Sequence, residues 1–175
     1  MKVQSFVCGY LEENAYLVIN ESNEALLIDP GSEEGKIEKF IEKNGITLKG
    51  ILITHYHFDH VGALEYFKEK YNLKVYDIKN VGINRVGEFM FDVFETKGHT
   101  DDSCAFYFEE INSLFTGDFL FKESIGRYDF ENSSFQDMMK SIAWVKTLNE
   151  SVRIYPGHGE DTNLKYELKH NEFLK

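Results

Sequence analysis

Residues 51–60, ILITHYHFDH, contain an apolar run that ends in a cluster of ligand-type side chains. The run ILI is rich in β-branched residues and predicts a strand that is buried on both faces. Since alternate residues of an extended chain point the same way, His55 and His57 can aim at one point as the strand ends. Asp59 and His60 follow where the chain turns into a predicted helix, so they can aim at a neighbouring point. This spacing predicts two metal ions side by side.

Three later segments repeat this arrangement, because each ends a predicted strand with a glycine and then a ligand-type side chain. They are KGHT with His99, LFTGD with Asp118 and YPGHG with His158. Glycine lets the backbone turn closely around an ion. Five of the six histidines, all except His170, fall in loops after strands, which favours metal ligation over unrelated surface or core histidines. Imidazole and carboxylate ligands suit zinc, with iron or manganese as alternatives.

The rest of the chain alternates strands and helices around a β-rich middle. Apolar runs predict strands at residues 3–8, 15–19, 25–28, 48–54, 73–78, 88–96, 103–108, 113–116 and 152–155. Helices are expected after Ser32 as N-cap, after residue 60, near Ser134 with a capping box of Ser133 and Gln136, and at 161–173. This pattern predicts two sheets with helices on their outer faces.

The composition bounds the class of protein. The chain has 175 residues, 42% of them apolar, which is typical of one packed globular domain. Its 19 basic and 30 acidic residues give a formal charge of −11, so neither nucleic acid nor an anionic membrane surface is an expected partner. No apolar run could span a bilayer, and the first residues do not resemble a signal peptide. With Cys8 and Cys104 interpreted as reduced thiols, these features predict a cytoplasmic protein.

These segments together resemble the metallo-β-lactamase superfamily, and within it the glyoxalase II-like (hydroxyacylglutathione hydrolase-like) hydrolases. The matching segments, in family order, are IDPG at 28–31, THYHFDHVG at 54–62, GHT at 98–100, TGD at 116–118, GR at 126–127 and PGHG at 156–159. The resemblance implies an α+β fold, a four-layer αββα sandwich with the metals at one edge. Residues 1–175 are expected to form one such domain, without the C-terminal glutathione-binding helical domain of glyoxalase II.

The resemblance also implies a site with two zinc ions, with iron or manganese possible in one or both positions. It assigns His55, His57 and His99 to the first metal, Asp59, His60 and His158 to the second, and Asp118 to a bridge between them. In such sites two ions lower the pKa of a shared water toward neutrality, and the resulting hydroxide attacks the substrate. By this analogy Asp59 and Asp118 are the catalytic residues that orient the hydroxide.

Two further residues keep alternative interpretations. Asp29 could orient a metal-bound histidine, or it could be a plain turn aspartate before Pro-Gly. Arg127 matches a position where relatives place a substrate-binding basic residue, and its guanidinium could hold a carboxylate. The alternative interpretation is a salt bridge with Asp129 or another surface acid.

The favoured function is a zinc-dependent hydrolase of a small thioester or related ester. The C-terminal glutathione-binding domain is expected to be absent, and the stretch 77–88 is short and is expected to lack a helix that many relatives have. The sequence therefore does not identify the thiol carrier of the substrate. It does not indicate the oligomeric state either. The alternative is a persulfide dioxygenase-like oxidoreductase with one iron on His55, His99 and Asp118. A lactonase or phosphodiesterase is a weaker alternative, and the charge argues against a tRNA-processing nuclease.

Overall fold

Two β-sheets pack face to face and helices cover the outer face of each, which confirms the predicted αββα sandwich. The computed structural model describes residues 1–175. The first sheet contains, in spatial order, β1 (Lys2–Cys8), β2 (Glu13–Ile19), β3 (Glu24–Ile28), β4 (Thr47–Leu52) and β5 (Val75–Tyr76). No helix of the chain combines the length and apolarity that crossing a membrane would need.

The second sheet has six strands. In chain order they are β6 (Gly82–Val86), β7 (Phe89–Glu95), β8 (Cys104–Phe108) and β9 (Ser113–Gly117), then, beyond a small hairpin of β10 (Leu120–Phe121) and β11 (Ser124–Ile125), β12 (Arg153–Pro156) and β13 (Thr162–Asn163). Their spatial order is β13-β12-β9-β8-β7-β6. The helices are α1 (Glu34–Asn44), α2 (Phe58–Val61), α3 (Leu64–Lys70), α4 (Phe135–Val145) and α5 (Leu164–His170).

Three apolar layers hold the four structural layers together. Strand β2 is buried along its whole length because its alternate residues serve two layers. Leu17 packs outward against α1 and α3, whereas Val18 packs inward against the phenylalanines of the second sheet. A third cluster places α4 and α5 on the outer face of the second sheet.

The strand directions position the candidate site. Strand β3 runs parallel to β4, and β9 runs parallel to β12. Because parallel strands end at the same edge of a sheet, the loops after these four strands gather at one end of the sandwich. These loops carry Asp29, His55, Asp118 and His158.

Several boundaries differ from those predicted. Helix α1 begins after Glu33, which has a left-handed φ of 57° and no side-chain cap, and not after Ser32. The helix expected after residue 60 is split into α2 and α3, and at the break Ala63 N donates to the Pro30 carbonyl at 2.9 Å instead of continuing the helix.

At α4 the N-cap is Ser134, whose hydroxyl accepts a hydrogen bond from Asp137 N. Ser133 does not form the expected capping box, because its hydroxyl donates to the His99 carbonyl at 2.7 Å. The expected strand at 73–78 shortens to β5, since Asp77 caps a three-residue 3₁₀ helix, Ile78–Asn80. Strand β6 was not predicted, and the expected absence of a longer helix between residues 77 and 88 is confirmed.

Candidate metal centre

The structure brings all seven predicted ligand side chains together at this end of the sandwich. They form two groups in which the candidate ligand atoms lie within 4.8 Å of one another. The first group contains His55, His57, His99 and Asp118, and the second contains Asp59, His60 and His158. His170, the histidine left out of the prediction, stacks on Tyr166 and belongs to neither group.

In the first group, three imidazole nitrogens converge. His57 Nδ1 lies 3.1 Å from His55 Nε2 and 3.0 Å from His99 Nε2. In the second group, His158 Nε2 lies 3.3 Å from Asp59 Oδ2. Asp118 faces both groups, since its Oδ2 lies 3.6 Å from His99 Nε2 and its Oδ1 3.2 Å from His60 Nε2.

Hydrogen bonds on the far side of the rings determine which nitrogen faces the site. His99 Nδ1 lies 2.8 Å from the Arg127 carbonyl, and His158 Nδ1 lies 3.0 Å from the Leu11 carbonyl. A carbonyl oxygen can only accept, so Nδ1 carries the proton in both rings. Each ring therefore presents the lone pair of Nε2 to the centre, as a metal ligand requires.

Asp29 orients two of the histidines at once. It is buried, and its Oδ2 lies 3.0 Å from His60 Nδ1 and accepts a 2.6 Å hydrogen bond from the Thr54 hydroxyl. That hydroxyl is left free to accept from His55 Nδ1 at 3.1 Å. Asp29 Oδ1 also accepts from Thr54 N at 2.7 Å. Of the two interpretations of Asp29, the structure therefore supports contact with a candidate ligand histidine over a plain turn role.

The atoms at the centre fit a pair of divalent cations. His60 Nε2 and Asp118 Oδ1 are buried and have no hydrogen-bond partner, because they lie close but are poorly aligned with each other. Neutral imidazoles that face one another at 3 Å cannot all be satisfied by one another's protons. Cations between these nitrogens and carboxylates would satisfy every one of these atoms, and such mixed donors are typical of zinc and iron sites.

The two groups differ in charge. Burial, together with the neighbouring imidazoles, holds the pKa of His55 well below its usual range. Burial also disfavours a charged His60, but the carboxylates of Asp118 and Asp29 outweigh it and hold the pKa of His60 well above its usual range. Burial opposes ionisation of Asp118, yet the His60 imidazole lowers the pKa of its carboxyl. A protonated His60 thus places next to the carboxylates of Asp118 and Asp29 the positive charge that a metal cation would supply.

The glycine before His158 contacts the candidate ligands closely. A Cβ at Gly157 would lie 2.3 Å from Asp118 Oδ1 and 2.6 Å from His60 Cε1. A Cβ at Gly117 would lie 2.3 Å from the Thr54 hydroxyl, and its φ of +51° also favours glycine. Position 157 therefore needs a glycine because its backbone packs directly against two candidate ligands. Position 117 needs one because its backbone packs against Thr54, which bonds to Asp29.

Glu13 is a buried acid that the sequence analysis missed. Its carboxyl lies 3.9 Å from His60 Nδ1, neither oxygen has a hydrogen-bond partner, and burial raises its pKa to about 10. A signal existed in the sequence, because Glu13 has the same period-2 phase as Ala15 and Leu17, which face the outer core. An acid two residues away from buried strand positions is expected to be buried as well, and an unpaired buried glutamate is rare.

A cleft of about 410 Å³ opens over the two groups. Its lining residues outside the two groups are Leu11, Phe58, Phe121, Gly126, Arg127 and Phe130. Arg127 forms the anticipated salt bridge with Asp129 at 2.9 Å and lies over the Phe130 ring, yet it also lines the cleft. A larger groove of about 530 Å³ runs past Tyr16 and Arg153 and contains none of the seven side chains.

Known proteins match the sequence of this chain over nearly its whole length. The model of the metallo-beta-lactamase superfamily matches residues 9–82 and 73–158. The probable metallo-hydrolase YqgX of Bacillus subtilis is 30% identical, over 99% of this chain and 98% of its own. The hydroxyacylglutathione hydrolase of Pelagibacter ubique is 36% identical, over 100% of this chain and 80% of its own.

Solved structures agree with these relatives. The B3 metallo-beta-lactamase BLEG-1 superimposes with a TM-score of 0.96 at 28% identity, covering 99% of this chain and 100% of its own. The protein TTHA1623 in a di-iron-bound form has a TM-score of 0.88 at 32% identity, with 98% and 100% covered. ETHE1 from Myxococcus xanthus has a TM-score of 0.90 at 29% identity, with 98% and 84% covered. Fold and sequence agree, and the chain belongs to the metallo-β-lactamase superfamily as an enzyme of its metallo-hydrolase class.

Proposed function

We propose that the chain is a two-metal hydrolase of a small thioester, as in glyoxalase II, or of a related ester. The observation that carries this proposal is the position of the Asp118 carboxylate, which faces two complete groups of ligand-type side chains. The reaction adds water across the acyl carbon–sulfur or carbon–oxygen bond, giving a carboxylic acid and a free thiol or alcohol. The relatives named as metallo-hydrolase and hydroxyacylglutathione hydrolase support this class of reaction.

The proposed ligands follow the two groups. His55, His57 and His99 would hold the first ion, Asp59, His60 and His158 would hold the second, and Asp118 would serve both. Zinc suits these donors, and the di-iron form of TTHA1623 makes iron the main competitor, with manganese a third possibility. When bound, two divalent ions supply Lewis acidity that lowers the pKa of water and polarises a carbonyl.

The chain's own side chains orient the reactants. Asp59 and Asp118 each place an Oδ2 atom next to His158 Nε2, at 3.3 and 3.6 Å. Carboxylate oxygens accept hydrogen bonds only, so both can hold the protons of a water that faces the cleft. Arg127 lines the same cleft, where its guanidinium can contact a polar group of the substrate.

The alternative function is a persulfide dioxygenase-like oxidoreductase with one iron on His55, His99 and Asp118. These three residues form a subset of the first group, so this group is compatible with either reaction. The second group favours the hydrolase, because an idle His60 would leave its buried Nε2 without a partner.

Metal analysis and a thioester assay test the proposal together. Purified protein loaded with zinc is expected to hold two ions per chain and to hydrolyse S-lactoylglutathione or a simpler thioester. His57→Ala is expected to lose this activity, whereas His170→Ala removes a histidine outside both groups and keeps it. Rates for the intact protein that do not exceed those of His57→Ala would rule out thioester hydrolysis. A single iron with oxygen uptake on a persulfide would favour the alternative.

A further inference from the structure

Four apolar side chains surround the candidate metal centre. They are Leu11, Phe58, Phe121 and Phe130, which we call the apolar rim. Phe58 is 66% exposed, Leu11 41% and Phe130 38%. Large apolar side chains that gather around a cleft and stay exposed to water mark a surface that a ligand covers.

The apolar rim borders the candidate ligands from two sides. Phe130 packs edge-on against His57 and His99, with ring centroids 5.5 and 5.6 Å apart. On the other side, Phe121 packs edge-on against His158, with ring centroids 6.1 Å apart. The Leu11 carbonyl accepts a hydrogen bond from Nδ1 of the same histidine. Any molecule whose reacting carbon sits at the metal centre must therefore extend between apolar surfaces.

Positive charge is scarce at the same cleft. Arg127 is the one lysine or arginine among the lining residues, and its guanidinium is already paired with Asp129 at 2.9 Å. Lys122, which follows Phe121, is paired with Glu160. Glutathione would bring two carboxylates to this cleft, and neither would meet an unpaired cation among the lining residues. The chain as a whole, with its charge of −11, also disfavours an anionic ligand.

We propose that the apolar rim binds the leaving arm of the substrate, and that this arm is apolar and uncharged, unlike glutathione. The inference rests on the proposed hydrolase function and names the substrate class of that same centre. Burying an apolar arm against the rim releases water from both surfaces, which is a favourable contribution that a peptide dicarboxylate cannot provide. The arm is defined by its chemistry, an alkyl or aryl group on the thiol or alcohol.

Three lactoyl thioesters test this inference on the zinc-loaded protein. Their thiols are glutathione, N-acetylcysteamine and 2-phenylethanethiol, which are respectively anionic, neutral polar and neutral apolar. Each kcat/KM is divided by the rate of hydroxide-catalysed hydrolysis of the same ester, so that leaving-group reactivity cancels. The normalised value is expected to be about tenfold higher for the phenylethyl ester than for the N-acetylcysteamine ester, because only that arm buries a ring. The glutathione ester is expected to rank last.

A rim variant localises the preference. Phe58→Ser removes the most exposed ring of the apolar rim, so the fold does not depend on it. We expect the ratio of normalised kcat/KM for the phenylethyl ester to that for the N-acetylcysteamine ester to fall about fivefold. Ile83→Ser is the matched control, since Ile83 is 76% exposed on strand β6 and does not line this cleft. It should leave the preference unchanged.

Binding of matched thioethers provides a second readout that does not depend on turnover. Calorimetric titration with the non-hydrolysable phenylethyl thioether should show tighter binding than with its glutathione counterpart, and a negative heat-capacity change. Phe58→Ser should weaken the binding of the first ligand selectively. A glutathione ester that ranks first, or a preference that survives Phe58→Ser in both assays, would overturn the inference while leaving the hydrolase intact. If no ester is hydrolysed faster than by His57→Ala, the proposed function fails and the thioether titration alone decides on the apolar rim.

Discussion

Replacing Asp29 by asparagine should weaken metal binding without changing any candidate ligand. Asp29 accepts three hydrogen bonds, from Thr54 N, from the Thr54 hydroxyl and at 3.0 Å from His60 Nδ1. Asparagine has nearly the same shape and tolerates the left-handed φ of 46° at this position, so no backbone strain is added. It offers an oxygen at one position and an NH2 group at the other.

Neither orientation of the new amide satisfies the network. With its NH2 toward Thr54 N, two donors that cannot rotate face each other. With its NH2 in the place of Oδ2, it faces the His60 Nδ1 proton, and His60 can escape only by moving that proton to Nε2. Nε2 is the nitrogen that faces Asp118 and the centre. His60 then presents a proton where a cation needs a lone pair.

The magnitude follows from these bonds. One buried donor left unpaired costs about 1–3 kcal/mol of the free energy of unfolding of the metal-free protein. Loss of the partner that orients a ligand histidine weakens metal affinity by about 10–100-fold. We expect this loss at the second ion, with a smaller loss at the first, where Thr54 supports His55.

Competition with a chromophoric chelator measures both affinities, and urea denaturation of the metal-free protein measures stability. Asp77→Asn is the matched control, because Asp77 is also buried and accepts hydrogen bonds from the Tyr56 hydroxyl and Lys79 N. It should lose stability but keep both metal affinities. If Asp29→Asn binds both ions as tightly as the unmodified protein, the argument that Asp29 selects the His60 tautomer is wrong.

Three further predictions concern the same centre. Gly157→Ala should abolish metal binding at the second ion in chelator competition, because its Cβ would lie 2.3 Å from Asp118 Oδ1, whereas Gly35→Ala, with open space in helix α1, should raise helix stability by up to about 1 kcal/mol. Since burial raises the pKa of Glu13 to about 10, the folded metal-free protein retains a proton that the unfolded chain loses above its ordinary pKa of 4.5, so stability falls as pH rises between these values. Glu13→Gln removes this slope, and urea denaturation should show the variant gaining stability over the unmodified protein from about pH 5 to pH 9, by at most about 1.4 kcal/mol per pH unit. Because the carboxylates of Asp118 and Asp29 keep His60 protonated against the effect of burial, zinc binding at pH 7 should release on the order of one proton, seen as a buffer-dependent heat in calorimetry.

The fold could be predicted from sequence where apolar periodicity was strong. Strands β1 to β4 and β7 to β9 have runs long enough that their pattern alone located them. Boundaries were wrong where tertiary contacts override local preference, as at Ala63, whose N–H bonds to the Pro30 carbonyl between α2 and α3. Strand β6 was missed because its residues alternate between partly buried and exposed, so no apolar run marks it.

The candidate ligands could be predicted because their chemistry is rare. His99 and His158 were informative as members of a set, because five of the six histidines fall in loops after predicted strands, whereas one such histidine alone would have favoured an ordinary surface or core role. Glu13 and Thr54 were missed for the opposite reason, since acids and threonines occur everywhere and only the three-dimensional contacts distinguish these two. Proton-orienting partners made of backbone carbonyls, such as those of Leu11 and Arg127, carry no sequence signal at all.

At Leu11 and Arg127, the backbone orients a candidate ligand and the side chain faces the substrate cleft, so the two roles are separate. The Leu11 carbonyl orients His158 and the Arg127 carbonyl orients His99, while both side chains line the cleft. Every amino acid supplies the same carbonyl, so a substitution at either position can change what the cleft binds without changing which nitrogen faces the metal. A shared ligand set can therefore serve different substrates, because Leu11 and Arg127 contact the ligand histidines through their backbone and the cleft through their side chains. For this chain it follows that Leu11→Ser should alter the preference for the leaving arm and leave zinc affinity unchanged, a separation that the thioester series and chelator competition measure together.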